Sequence, residues 1–208
     1  AHVGSPLASA LTMAPPTIDG SIAAGEWTSA NHYYLTYVGD NAITVAVWIM
    51  NDGTNLYMAF KIPDNTNIGT SSTGDGALVV FDFDNDGEYE NPDGNAATVD
   101  DGFIFQTFFS GPIAGTKRYY TWGSVPCEQP GAEDLVSASW SLISNPGVAD
   151  AYSWTSAGYI WETSVPLSLI GHTPGIGFAT NDYSFPHSTN WWTSWWPSWF
   201  PKLNNAGQ

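Results

Sequence analysis

The sequence predicts an all-β fold, an antiparallel β-sandwich of the jelly-roll-like kind. Short segments rich in β-branched and aromatic residues recur along the 208 residues, and Gly, Pro, Asn and Asp separate them. No stretch longer than about ten residues holds a convincing helical period. Short strands at this spacing are typical of sandwiches and jelly rolls. A chain of this length buries a sizeable core without disulfide bonds.

The first element is an N-terminal arm, residues 1–16, which is uncharged apart from the terminus and His2. Pro15 and Pro16 separate it from a single sandwich domain, residues 17–208, which ends in a Trp-rich segment. Its weakly patterned apolar residues predict an extended conformation. We expect the arm either to fold back on its own sheet or to add a strand to the sheet of a neighbouring copy.

The strands follow the arm. Branched aliphatic residues occupy every second position over 43–49, large apolar residues occupy every second position over 56–62, and Asp52-Gly53 lies between the two segments. This pattern predicts a β-hairpin. Further strands are predicted at 33–38, 77–83, 102–109, 117–123, 135–141, 158–165 and 176–182.

The predicted strand at 77–83 leads directly into a series of carboxylates. Their spacing matches the opening of the twelve-residue calcium loop, in which a glycine at the sixth position, here Gly87, allows the chain to turn. The twelfth position is an Asp instead of the usual Glu, and no helical period flanks the loop, so we expect a calcium loop in a β context. The predicted Ca²⁺ ligands are Asp82, Asp84, Asp86, Glu88, Glu90, Asp93, Asp100 and Asp101.

The alternative is a solvated acidic loop, which is what a run of charges usually forms. Two carboxylates about 4 Å apart repel each other by roughly 1 kcal/mol even in water. Only four Lys and Arg residues offset 20 Asp and Glu, and the net charge is −16. A bound divalent cation is therefore the preferred interpretation. The same charge argues against nucleic acid and anionic membrane as partners.

The sequence favours an exported protein. No apolar run approaches the roughly 20 residues of a membrane-spanning helix. The single Cys127 has no partner for an intrachain disulfide. The chain starts at Ala1 without an initiating Met, contains little Lys and is rich in Asn, Gly, Thr and Ser. We interpret it as a secreted, extracellular chain whose signal peptide has been removed.

Tryptophans cluster near the C-terminus, where five fall within nine residues. Neighbours on one strand face opposite sides of a sheet, so the five cannot all point inward. Exposed indoles stack on sugar rings or anchor protein interfaces, whereas buried ones would cap the core. The candidate ligand or interface aromatics are Trp191, Trp192, Trp195, Trp196, Trp199 and Trp122.

Three segments together resemble the family 9 carbohydrate-binding modules and their DOMON-like relatives. They are residues 18–27, with Ile-Asp-Gly followed by Gly-Glu-Trp, then 55–64 with the loop 81–87, and finally 159–167 with 175–182. The resemblance implies a β-sandwich with bound calcium, and in sugar-binding members two aromatic residues that clamp a terminal sugar. The arm and the Trp-rich tail lie outside the matching segments.

Catalysis is not predicted. Glu26 and Glu162 are the only carboxylates considered as a glycosidase pair, and no nucleophile or paired His or Cys motif accompanies them. We predict a non-enzymatic structural subunit that assembles with itself into a filament or surface layer, with the arm exchanged as a strand. The alternative is a carbohydrate-binding module or adhesin that stacks polysaccharide on Trp and Tyr faces.

Overall fold

A computed structural model describes residues 7–37, 43–65, 67, 75–82, 102–122, 140–181 and 192–195, and at some strand ends only the main chain. Within these ranges the chain forms strands that pair into two sheets, which confirms the all-β sandwich. A 3-10 helix at Gly111–Ile113 and a four-residue α-helix at Leu167–Ile170, α1, are the helices of this part of the chain.

The strands are β1 (Ala10–Leu11), β2 (Asn31–Tyr37), β3 (Ile43–Asn51), β4 (Asn55–Ile62), β5 (Gly76–Asp82), β6 (Gly102–Phe108), β7 (Lys117–Trp122), β8 (Trp140–Ile143), β9 (Ala149–Thr155), β10 (Gly158–Pro166), β11 (Gly175–Asn181) and β12 (Trp192–Trp195). The first sheet has the order β3-β4-β10-β9, with β1 and β2 both paired to β3. The second sheet has the order β12-β11-β5-β6-β7-β8. All pairs are antiparallel except β1 with β3, which is parallel.

The predicted hairpin lies at the centre of the first sheet, as β3 and β4. Gly53 adopts a positive φ of 85° at its turn. Asp52 accepts hydrogen bonds from the main-chain N–H of Thr54 (2.8 Å) and Asn55 (2.7 Å), and from the Tyr57 hydroxyl (2.7 Å). These hydrogen bonds, above all the one from the Asn55 N–H, lower the pKa of Asp52. The turn therefore fixes the register of the two strands.

The core lies between the inner faces of the two sheets. Phe60 and Trp161 from the first sheet pack with Phe178 and Phe105 from the second, at centroid distances of 5.1 to 5.4 Å. In β5, Leu78 and Val80 are as buried as Val79 between them, although they face the opposite side. This strand is therefore buried on both faces, in line with its continuous apolar sequence.

Three strands were not predicted. The sequence Ala149–Thr155 of β9, which in the described part of the chain pairs only with β10, places polar Asp150 and Ser153 among its apolar residues and shows no clear alternation. The two-residue β1 and the four-residue β12 are too short for a hydrophobic period to identify them. The strand predicted at 135–141 is described from residue 140 onward, as β8.

Candidate functional site

The predicted calcium ligands fall almost entirely outside the described residues. Asp82 is the last residue of β5, and its side chain is not among those described. Asp82 and Gly102, the first residue of β6, are cross-strand partners. The segment that joins them, 83–101, contains the other seven predicted ligands: Asp84, Asp86, Glu88, Glu90, Asp93, Asp100 and Asp101. The segment therefore connects the adjacent ends of two neighbouring strands, β5 and β6.

The predicted aromatic residues are only partly described. Trp122 ends β7, and Trp192 and Trp195 are the ends of β12, with Trp195 paired to Phe178 of β11. Nothing about these three side chains is described. Trp191, Trp196 and Trp199 lie outside the described residues. The calcium and tryptophan sites both remain predictions.

The described part of the N-terminal arm, residues 7–16, lies against its own sheet. Ala10 pairs with Met50 and Leu11 with Asn51, so β1 occupies the last two residues of the β3 edge, beyond the point where β2 begins. The next main-chain N–H, that of Thr12, donates to Asn51 O at 2.7 Å. Of the two predicted arrangements, the described residues adopt the first, with the arm folded back on its own sheet.

Three side chains bind the main chain of the arm. The hydroxyl of Tyr33 accepts from Ala8 N at 2.8 Å and donates to Ala8 O at 3.0 Å. Asn31 Nδ2 donates to the same oxygen at 2.9 Å. Asn51 Nδ2 donates to the main-chain O of Ala10 at 3.4 Å and to Ser9 Oγ at 2.8 Å. We call these three side chains and the β3 edge at Met50–Asn51 the arm groove.

The side chains of the arm divide into buried and exposed ones. Leu7 packs on the main core, Ala10 packs on a second apolar cluster, and Thr12 is buried. Leu11 and Met13 are 69% and 94% exposed. The arm is thus held by main-chain hydrogen bonds and a few small contacts, and its large apolar side chains beyond Leu7 contribute no burial.

The chain after the arm covers the outer face of the first sheet. Residues 17–30, here called the strap, place apolar side chains on residues of β3 and β4. The cluster consists of Trp27, Ile18, Ile22 and Ala30 from the strap, Ala10 from the arm, and Trp48, Met50, Tyr57 and Ala59 from the sheet. The Ile-Asp-Gly and Gly-Glu-Trp segments of the sequence therefore form a structural cover.

A buried carboxylate fixes the strap. Glu162 on β10 is fully buried, and its Oε2 accepts from the main-chain N–H of Asp19 (3.0 Å), Gly20 (2.8 Å) and Ser21 (3.2 Å). Its Oε1 accepts from Trp27 Nε1 at 2.8 Å. Burial raises the pKa of Glu162, and the four N–H donors oppose that rise.

Glu26, the other carboxylate considered as a catalytic residue, also bonds to the strap. Its Oε1 accepts from the main-chain N–H of Thr17 at 2.6 Å. Both Glu side chains therefore hold main-chain donors of the same segment. The chemistry of Glu162 could not be read from the sequence, because its partners lie 135 to 143 residues away in the chain.

An ion pair between a buried carboxylate and an exposed lysine joins the two sheets beside β9. Asp150 Oδ1 on β9 binds Lys117 Nζ of β7 at 2.5 Å, and Asp150 Oδ2 accepts from Thr107 Oγ1 of β6 at 2.7 Å. Trp161 Nε1 also donates to Asp150 Oδ2, at 3.2 Å. No pattern in the sequence indicates this cluster, since its members belong to four different strands.

The flank of the first sheet at β9 is covered. Lys117 Nζ donates to the main-chain O of Asp150 at 2.9 Å, and Ser153 Oγ donates to Gly20 O at 2.7 Å. Gly20 lies so close that an added Cβ would be 2.7 Å from the main-chain carbon of Tyr152. Side chains and the strap therefore obstruct this edge, which is a common protection of edge strands.

Within the described residues there is neither a candidate metal centre nor a membrane-spanning helix. In this part of the chain, no three His, Cys, Asp or Glu side chains are grouped so that they could hold a metal ion. No helix within the same ranges is long and apolar enough to cross a membrane. Comparison of the whole chain with protein-family models, curated proteins and solved structures finds no match.

Proposed function

We propose that this protein is a non-enzymatic, calcium-binding structural subunit, exported from the cell, which assembles into a fibre or surface layer by exchanging its N-terminal strand between copies. The observation that carries the proposal is the arm groove. It binds the arm as an added strand through contacts with main-chain atoms. The arm of a second copy would make the same contacts.

The segment after the arm supports exchange. Met13, Ala14 and Pro15 are exposed, and Pro15-Pro16 stiffens the connection to the strap. Moving the arm to a neighbour replaces each contact by an identical one, so exchange costs little enthalpy, which makes it a low-cost route to assembly. A contact that passes from copy to copy without closing a ring generates a filament.

Calcium has a physical role in such an assembly. Copies of a chain with net charge −16 repel one another. A divalent cation held by the predicted ligands between β5 and β6 would reduce that repulsion and stiffen the connection. The resemblance to carbohydrate-binding modules with bound calcium points to the same ion.

A reversible lock tests the exchange. Leu11 and Asn51 are partners on adjacent strands, whose spacing of about 4.8 Å suits a disulfide. In a Cys127→Ser background, Leu11→Cys with Asn51→Cys should fix the arm to its own groove under oxidation. We expect the oxidised variant to remain monomeric in electron micrographs and the same protein to polymerise after reduction.

The reduced variant is its own control, because both forms carry the same substitutions. A second test removes residues 1–14, which should abolish polymers. Polymers that form equally well from the oxidised variant, or from the shortened chain, would contradict strand exchange.

Exposed aromatic residues favour the alternative function, a carbohydrate-binding module. Tyr34 is 71% exposed and Trp154 40% exposed, and such rings stack on sugars. Calorimetry with a panel of polysaccharides distinguishes the two functions. Binding that Tyr34→Ala or Trp154→Ala weakens at least tenfold, without any polymers, would support the alternative.

A further inference from the structure

The arm groove has features of a selective peptide site. Peptides that add a strand to a sheet gain affinity through main-chain hydrogen bonds and specificity through pockets for alternate side chains. Asn31 and Tyr33 supply the first kind of contact at Ala8. The second kind is made at Ala10, which packs beside Met50, and at Thr12, which is buried.

We propose that the arm groove is a specificity-determining site for an extended segment with a small residue at position 10, and that its partner is residues 7–12 of a second copy of this chain. The identity of the partner rests on the proposed function. Asn31 and Tyr33 position the segment by its main chain. The cluster around Met50 selects the residue at position 10 by size.

The two alanines of the arm at positions 8 and 10 differ in exposure. Ala8 is exposed, whereas Ala10 is half-buried and packs against a cluster whose members Met50 and Ala59 are fully buried. A larger side chain at position 8 extends into solvent. The same side chain at position 10 would have to displace packed atoms, which protein interiors resist. The chain thus offers a matched pair, Ala10→Leu and Ala8→Leu.

The first experiment measures hydrogen exchange of the amides of residues 8–12 in full-length chain kept monomeric at low concentration. Ala10→Leu should accelerate exchange by about tenfold or more, as expected for an overpacked site. Ala8→Leu should change it by less than about twofold. Tyr33→Phe, which removes only a hydroxyl, should accelerate exchange roughly fivefold to tenfold. Equal exchange in the two Leu variants would overturn the proposed selection at position 10.

The second experiment identifies the partner. Ala10→Leu has an impaired arm and an intact groove, whereas Asn31→Ala with Tyr33→Phe has an intact arm and an impaired groove. We expect neither variant to polymerise alone, and an equal mixture to give one-to-one pairs in native mass spectrometry. Equal hydrogen exchange in Ala10→Leu and Ala8→Leu would refute the arm groove as a selective site. If only Ala10→Leu accelerates exchange but no mixed pairs form, the groove selects the arm of its own chain. That result would refute a second copy as the partner, and with it the proposed function.

Discussion

Removal of the Glu162 carboxylate should strongly destabilise the protein, because it accepts hydrogen bonds from four N–H groups. In Glu162→Ala, the N–H groups of Asp19, Gly20 and Trp27 lose an acceptor at 2.8 to 3.0 Å, whereas that of Ser21 keeps Asp19 Oδ1 at 2.9 Å. Each buried donor left without a partner costs about 1–3 kcal/mol. Water entering the vacated space would satisfy some of them, so we take the lower limit for three donors and expect a loss of about 3 kcal/mol.

The assay is reversible unfolding in denaturant, together with calorimetry. For a domain of this size, about 3 kcal/mol corresponds to a fall in Tm of about 6–12 °C. Glu26→Ala is the matched control. It removes a carboxylate that bonds to the same strap at a more exposed site, and we expect a loss of about 1 kcal/mol or less.

The pH dependence of Glu162 gives a further check on this prediction. Burial raises its pKa above the ordinary value of 4.5. The folded protein then retains a proton that the unfolded chain releases, so the contribution of Glu162 is largest at low pH and declines as pH rises through the raised pKa. The difference in free energy of unfolding between wild type and Glu162→Ala should therefore narrow as pH rises from 4.5 to the raised pKa. A variant as stable as Glu26→Ala would refute the role of the carboxylate as the anchor of the strap.

Three other outcomes are expected. Chelation of calcium should lower the Tm, because an ion present at 100 to 1,000 times its Kd stabilises the folded state by roughly 3–4 kcal/mol; an unchanged melting curve in chelator would remove calcium from the proposed function. Burial, and to a smaller extent the charge of Asp150, raises the pKa of Tyr119 to about 12. The folded state therefore keeps a proton that the unfolded state loses, and the free energy of unfolding should fall as pH rises from about 10 to 12. Denaturation of Tyr119→Phe at these pH values should show a shallower fall in that free energy. Gly158→Ala should cost about 3 kcal/mol more than Gly53→Ala, because both glycines have positive φ but only a Cβ at Gly158 would collide with Ile62 O; equal losses in the two variants would show that the close approach is unimportant.

The sequence predicted those parts of the fold that depend on local patterns. The β3–β4 hairpin follows from alternation and from Asp52-Gly53, and β5 follows from a continuous apolar run. β9 was missed because its sequence does not alternate, although Tyr152 packs on the core. The parallel pairing of β1 could not be predicted, since two residues carry no period.

The candidate site was predictable only in part. The arm and its boundary at Pro15 were recognised from composition, but Asn31, Tyr33 and Asn51 are ordinary polar residues on separate strands. Their role arises only when the fold brings them to Ala8 and Ser9. Glu162 was considered for catalysis because it lies outside the acidic loop, whereas its environment gives it four main-chain and indole donors. The calcium ligands remain a prediction from spacing and charge.

The obstructed flank at β9 has a consequence for growth. Lys117 Nζ bonds to the main-chain O of Asp150, and Gly20 of the strap lies against the main chain of Tyr152. Addition of a further strand is therefore hindered on that side, while the opposite side of the same sheet carries the arm groove. In the proposed assembly, such a polarity would favour extension in a single line over the sideways stacking that turns exposed strands into amyloid.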